Sequence, residues 1–335
     1  MMKWIARWFG RAASEAAAVP SVASPPPRDT AAAAAPVQLA APRAVRGAEI
    51  DSLFYRWMTG AVSQSASAGA EKLIIDELTR MAGSTGAGAE LVPRVPAVIP
   101  QLLRSLRDDS LSGTELARQL AQDVVLVAEV IREANSPYYH PAIPVKSVEN
   151  AVRLLGQNGL RMVLARVAFR PVISMQAGRC ARHVAPHLWV QAEKCAEAAR
   201  MLAPAMGANT FETYLAALMQ NVGLIVAFRL MDQISADGML PDSDAFCDQL
   251  FTQARILSAR IGALWDFPAT VTGAIAQVHQ PNGSTVAAAL AQSDRASKLR
   301  MLVDAGSFAA DDPFILASLT PEIADCFDKL KYGED

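Results

Sequence analysis

Ser147-Val148-Glu149-Asn150-Ala151-Val152-Arg153-Leu154-Leu155-Gly156, continuing through Gln157-Asn158-Gly159-Leu160-Arg161-Met162-Val163-Leu164-Ala165-Arg166-Val167, is the stretch from which the fold class can be read. Ser147 is the residue type that caps a helix start, because its hydroxyl can accept one of the first unpaired amide protons. Gly156 ends that helix, since glycine enters left-handed backbone at little cost. Asn158 opens the next, which carries Leu160, Val163, Leu164 and Val167 at helical spacing toward Pro171. Two helices separated by a sharp break are expected here.

The same texture extends outward in both directions. From Ala48 to Met81 two helical stretches place Ile50, Leu53, Phe54 and Trp57, then Leu73, Ile74, Leu78 and Met81, on apolar faces. After a Gly-rich break at 83–88 come Pro93, Pro96 and Pro100, a capping box at Ser112-Gly113-Thr114-Glu115 and an N-cap at Asp123. Further helices are expected at about 188–205, 210–231, 243–264, 268–280 and 284–304. No alternating strand pattern and no repeat of fixed period appears. The fold class is therefore all-α, a compact multi-helix domain of roughly 200 to 250 residues behind a tether.

Composition agrees. The chain of 335 residues is 52% hydrophobic, 19% charged and 6% aromatic, which suits a globular core of unbranched helix formers. A formal net charge of -2 supplies no global basic field, so nucleic acid is not an expected partner. Cys180, Cys195, Cys247 and Cys326 have no CxxC spacing and read as free thiols in a reducing cytoplasm. No run approaches the roughly 18 to 20 uninterrupted apolar residues of a membrane span.

The N-terminus divides in two. Residues 1–11 set Trp4, Ile5, Trp8 and Phe9 beside Lys3, Arg7 and Arg11, the layout of a short interfacial amphipathic helix. Residues 12–46 are rich in Ala, Pro and Ser, with Pro25-Pro26-Pro27, and read as a disordered linker. A helical extension over 47–90, a main domain over 91–283 and a C-terminal helical extension over 284–335 complete the expected organisation. Weak contact with a membrane surface through residues 1–11 is expected beside a cytoplasmic location.

Several landmarks resemble the HDOD domain family, a degenerate relative of the HD phosphohydrolases. Val130-Ile131-Arg132-Glu133-Ala134-Asn135-Ser136-Pro137 resembles its opening helices, and the Ala-Asn-Ser element is the most distinctive part. Val148, Ala151, Leu154-Leu155-Gly156 and Leu160-Arg161 follow the family's spacing. Trp189, then Cys195-Ala196, then Leu215 to Leu224 with Gln220, Asn221 and Gly223, and finally Trp265-Asp266-Phe267-Pro268, continue in the same order. The family signature is thus carried by Asn135, Ser136, Gly156, Arg161, Trp189, Gly223, Trp265 and Pro268.

What the resemblance implies about chemistry is negative. HD hydrolases hold a divalent metal with a His, a His-Asp pair and a distant Asp, and the metal activates water and clamps phosphate. Here the His-Asp pair falls on Gln220 and Asn221, and the earlier His near Gln191. Amides supply neither imidazole donors nor negative charge. Later positions that often carry histidines read Ala254 and Val278-His279, with His279 alone. No catalytic residue, metal or cofactor is expected.

Other constellations carry weaker chemical signals. Cys180, His183 and His187 could meet a metal only on one helical face, which Pro186 is expected to interrupt. His140, after Tyr138-Tyr139, lacks any nucleophile motif, and neither GxxxxGK[ST] nor GxGxxG occurs. Arg153, Arg161, Arg166 and Arg170 could contact an anionic ligand, against a plain reading as a salt-bridged surface. The resemblance implies a signal-transduction module that binds signalling proteins, in a family that accompanies two-component and cyclic-dinucleotide circuits. A divergent metal-dependent phosphohydrolase and a peripheral adaptor at the inner membrane are the alternatives.

Overall fold

A computed structural model describes residues 47–60, 66–84, 91–93, 118, 124–135, 141–174, 176–235, 239–280 and 283–331. Residues 1–11, the 12–46 linker, the 112–115 capping box, Pro96, Pro100, Asp123, Ser136 and the 138–140 cluster lie outside the described residues. Those described form α1 (Gly47–Thr59), α2 (Ala68–Gly83), α3 (Val124–Ala134), α4 (Val148–Ser174), α5 (Arg179–Ala205), α6 (Thr210–Met219), α7 (Val222–Ile234), α8 (Asp244–Leu264), α9 (Ala269–Ala276), α10 (Thr285–Asp304), α11 (Pro313–Ser318) and α12 (Pro321–Lys329). No strand occurs among them.

The starts are set by local chemistry. The Ser147 hydroxyl accepts the Asn150 amide proton at 3.3 Å, Ser243 accepts that of Phe246 at 3.1 Å, and Ser284 that of Ala287 at 3.2 Å. Gly156, at φ 67° and ψ 179°, bends α4 where the break was expected, and a side chain there would be strained.

Packing overrules local signals at four places. Pro186 does not interrupt its helix: α5 runs from Arg179 to Ala205 straight through it. An internal proline costs about 3 kcal/mol, and full burial of Val184 and Leu188 returns roughly 2 kcal/mol each. Pro171 is likewise internal to α4, which continues to Ser174 because Val172 and Ile173 are buried. The helix expected over 210–231 is two, α6 and α7, parted at Gln220 and Asn221. Leu73, expected on the buried stripe of α2, is 61% exposed, while Ile74, Leu78 and Met81 are buried.

α5 is the central element, packed against α1, α4, α6, α7, α10 and α12. α1 and α10, read from sequence as parts of extensions, lie against each other and against α5. Phe54, Tyr55 and Met58 of α1 are buried in the same core cluster as Leu218, Phe228 and Leu290. Thr210–Ile234 is long and apolar enough to cross a membrane, with mean hydropathy 1.5, but 94% of that window is buried inside the protein. Core packing accounts for its apolarity.

Candidate functional site

Breaking the chain between α6 and α7 turns two amides inward. Gln220 and Asn221 are 2% and 3% exposed, and Gln191 on the facing side of α5 is fully buried. Asn221 Nδ2 donates to Gln191 Oε1. Gln191 Nε2 donates at 2.9 Å to both Asp294 Oδ1 and Ser297 Oγ. Gln220 Nε2 donates at 3.1 Å to the same Asp294 oxygen and to Cys195 Sγ. The three amides lie together, and two of them, Gln191 and Gln220, donate to a carboxylate from α10 that sequence reasoning missed.

Asp294 links the amides to a cluster of buried charges. Its Oδ2 accepts Lys298 Nζ at 2.7 Å and Arg255 Nη2 at 2.8 Å. Lys298 also donates to Asp51 Oδ1 of α1, and Arg255 grips Asp51 with Nη1 to Oδ2 at 3.1 Å and Nη2 to Oδ1 at 3.4 Å. Side-chain exposure across Asp51, Asp294, Arg255 and Lys298 is only 2–8%. Burial alone would raise the Asp51 pKa, but Arg255 and Lys298 outweigh it and hold the carboxyl well below its usual range. Burial likewise opposes the Arg255 charge, yet Asp51 and Asp294 raise its pKa.

His279 is not isolated, contrary to the sequence reading. Its ring contacts the Arg255 guanidinium from the rim of the cluster, and burial followed by Arg255 pushes its pKa down to about 4. Below the cations lies aromatic surface: Lys298 Nζ is 4.7 Å from the Phe251 ring centre and 5.7 Å from that of Phe54.

Among the described residues, five of the signature positions, Asn135, Gly223, Trp265, Pro268 and Trp189, hold structural places. Asn135 closes α3 onto the 141–147 loop, accepting the Val145 amide proton at 2.7 Å and donating to the Val145 carbonyl at 2.8 Å. Gly223 lets α7 approach α8 so closely that a Cβ would stand 2.0 Å from the Ala254 carbonyl oxygen. Its amide donates to Ser258 Oγ, which donates to the Gln220 carbonyl at 2.6 Å, fixing the amide turn. Trp265 caps α8 and lies 6.4 Å, ring to ring, from Phe169, while Pro268 opens α9. Trp189 is buried on α5.

The HDOD domain model matches residues 92–281. The chain belongs to the HDOD domain family. An HDOD domain protein of unknown function from Geobacter sulfurreducens superposes with TM-score 0.58 at 23% identity, covering 79% of this chain and 90% of that one. A candidate metal-dependent phosphohydrolase from Shewanella amazonensis gives 0.55 at 16% identity, covering 79% and 99%. A candidate signal transduction protein from Marinobacter aquaeolei gives 0.50 at 18%, covering 78% and 63%. An uncharacterized Treponema pallidum (strain Nichols) protein is 24% identical over 155 residues, 45% of this chain and 29% of that protein's length. The solved structures show the HDOD fold.

The fold's relation to HD phosphohydrolases implies a divalent metal, and the donor set here does not fit one. Gln191 and Gln220 present N–H groups, which cannot ligate, to the carboxylate they share. Both buried carboxylates already hold cations of the chain itself. His183 and His187 do share a face of α5, with ring centres 6.0 Å apart, while burial and Asp232 hold the Cys180 pKa at about 11. Among the described residues no group of three His, Cys, Asp or Glu side chains is arranged for a metal.

The arginines expected to meet an anion are dispersed along α4. Arg166 pairs with Glu133 of α3 and faces Glu193 of α5 at 3.8 Å; Arg161 is buried, and Arg153 and Arg170 are exposed.

Proposed function

We propose that this HDOD protein is a non-catalytic regulatory module that binds partner proteins in a bacterial signalling pathway. The carrying observation is that Gln191 and Gln220 donate to Asp294 while Asn221 donates to Gln191. Neutral amides spent on donating to a buried carboxylate, or in the case of Asn221 to Gln191, supply neither the imidazole nor the negative charge that activates water or clamps a phosphate through a metal. What such a module offers instead is surface, and the likeness to a candidate signal transduction protein favours that use. Link to two-component or cyclic-dinucleotide signalling belongs to the same reading, as does a cytoplasmic location with residues 1–11 at the inner membrane surface.

The test is a hydrolysis screen of the full chain with Mg2+, Mn2+, Fe2+ and Zn2+ against phosphomonoesters, phosphodiesters, nucleotides and cyclic dinucleotides. Background rates are expected throughout. Turnover abolished by Asn221→Ala would establish a divergent phosphohydrolase instead. In parallel, capture from cell extract with and without residues 1–46 should yield a partner whose purified form binds saturably.

A further inference from the structure

Three of the four charged groups at the amide positions, Asp51, Asp294 and Lys298, lie outside residues 92–281, and Arg255 alone lies within the matched segment. They come from α1, α8 and α10, and their formal charges cancel. We infer that the Lys298 ammonium and the Arg255 guanidinium are together this chain's resident replacement for the divalent cation of the HD scaffold, tying α1 and α10 to α8 without metal.

Saturation of the oxygens is the first support. Asp294 Oδ1 takes the Gln191 and Gln220 amides and Oδ2 takes Lys298 and Arg255; Asp51 Oδ1 takes Lys298 and Arg255 and Oδ2 takes Arg255 again. A divalent ion would have to expel two cations and leave them buried without counter-charge.

Burial is the second. Taking four charges out of water is costly unless every one is paired, so an incidental pair would sit at the surface. Here each cation meets both acids, and both stack on Phe251, Lys298 at 4.7 Å and Arg255 at 5.5 Å from the ring centre.

The amides complete the account. With two acids and two bases the cluster is neutral, and a carboxylate in place of Asn221 would add an unmatched negative charge. Gln191 and Gln220 solvate Asp294 as neutral donors, and Asn221 orients Gln191, without disturbing that balance.

The experiment uses the full chain and the variants Lys298→Met, Asp51→Asn and the double. Wild-type protein incubated with Mn2+ or Zn2+ and desalted should carry well under one equivalent of metal, and its Tm should not move with metal or EDTA. Lys298→Met should lower the Tm by roughly 10 °C, since two buried acids then share the single Arg255 cation and one negative charge is left uncompensated. Adding Asp51→Asn should recover much of that loss because the charges cancel again. One tightly held divalent ion per wild-type chain, raising the Tm, would overturn the inference, as would simple addition of the two single losses. If Lys298→Met does not fold, regained folding in the double variant supports the replacement, and the wild-type metal measurement decides in any case.

Discussion

The side-chain amide of Gln191 points its nitrogen at Asp294 Oδ1, 2.9 Å away, across the contact of α5 with α10. Because that carboxylate also receives Gln220, Arg255 and Lys298, it is the node of the cluster. Replacing it removes the acceptor of four donors at once.

Asp294→Ala should therefore destabilise the protein by about 3–5 kcal/mol, the cost of leaving buried charge uncompensated. Urea denaturation would show it as a lowered midpoint with unchanged slope. A loss under about 1 kcal/mol would mean that water reaches the cluster.

His279 sets an acid limb. It is faced by Arg255 from α8, Asp51 from α1, and Asp294 and Lys298 from α10, and its folded pKa of about 4 lies below its ordinary value of 6.5. A depressed folded value means that stability is fully present above pH 6.5 and is lost as pH falls toward 4. His279→Gln, which stays uncharged, should flatten the fall in urea midpoint between pH 6.5 and 4; an unchanged slope would place the limb elsewhere.

Two glycines should respond oppositely to the same change. At Gly223 a Cβ meets the Ala254 backbone at 2.0 Å, so Gly223→Ala should cost about 3 kcal/mol as α7 is pushed from α8. At Gly273, inside α9 with nothing within 4 Å, alanine should stabilise by about 0.5–1 kcal/mol. Thermal melts of both variants would check the contrast.

Asn135→Ala should remove the clamp on the 141–147 loop at a cost of about 1–2 kcal/mol. Hydrogen exchange at the Val145 amide, which loses its acceptor, should quicken more than exchange in α8.

Much of the architecture was legible because its causes are local. The Ser147 cap, the left-handed Gly156 and the apolar spacing from Leu160 to Val167 act within a few residues, so reading them in order recovers α4 and its break. Pro186 misled for the same reason: its local penalty is real, but Val184 and Leu188 are held by a core far away in sequence. The three amides were legible through the family's spacing. Their partners were not, since Asp51 sits within a stripe that periodicity assigns wholly to apolar packing, between Ile50 and Phe54. A trace existed in α10, where Asp294, Ser297 and Lys298 share one face at spacings of three and four, a pattern that an exposed helix would show equally.

By itself the sequence determined an all-helical chain, its main breaks and the absence of imidazole and acid at the paired positions, because backbone preference and residue chemistry are properties of short segments. Only the tertiary structure decided what those positions became. Asp51, Arg255, Asp294 and Lys298 form a neutral cluster because burial makes charges from three separate helices compensate one another, and that demand appears only once the helices close over them.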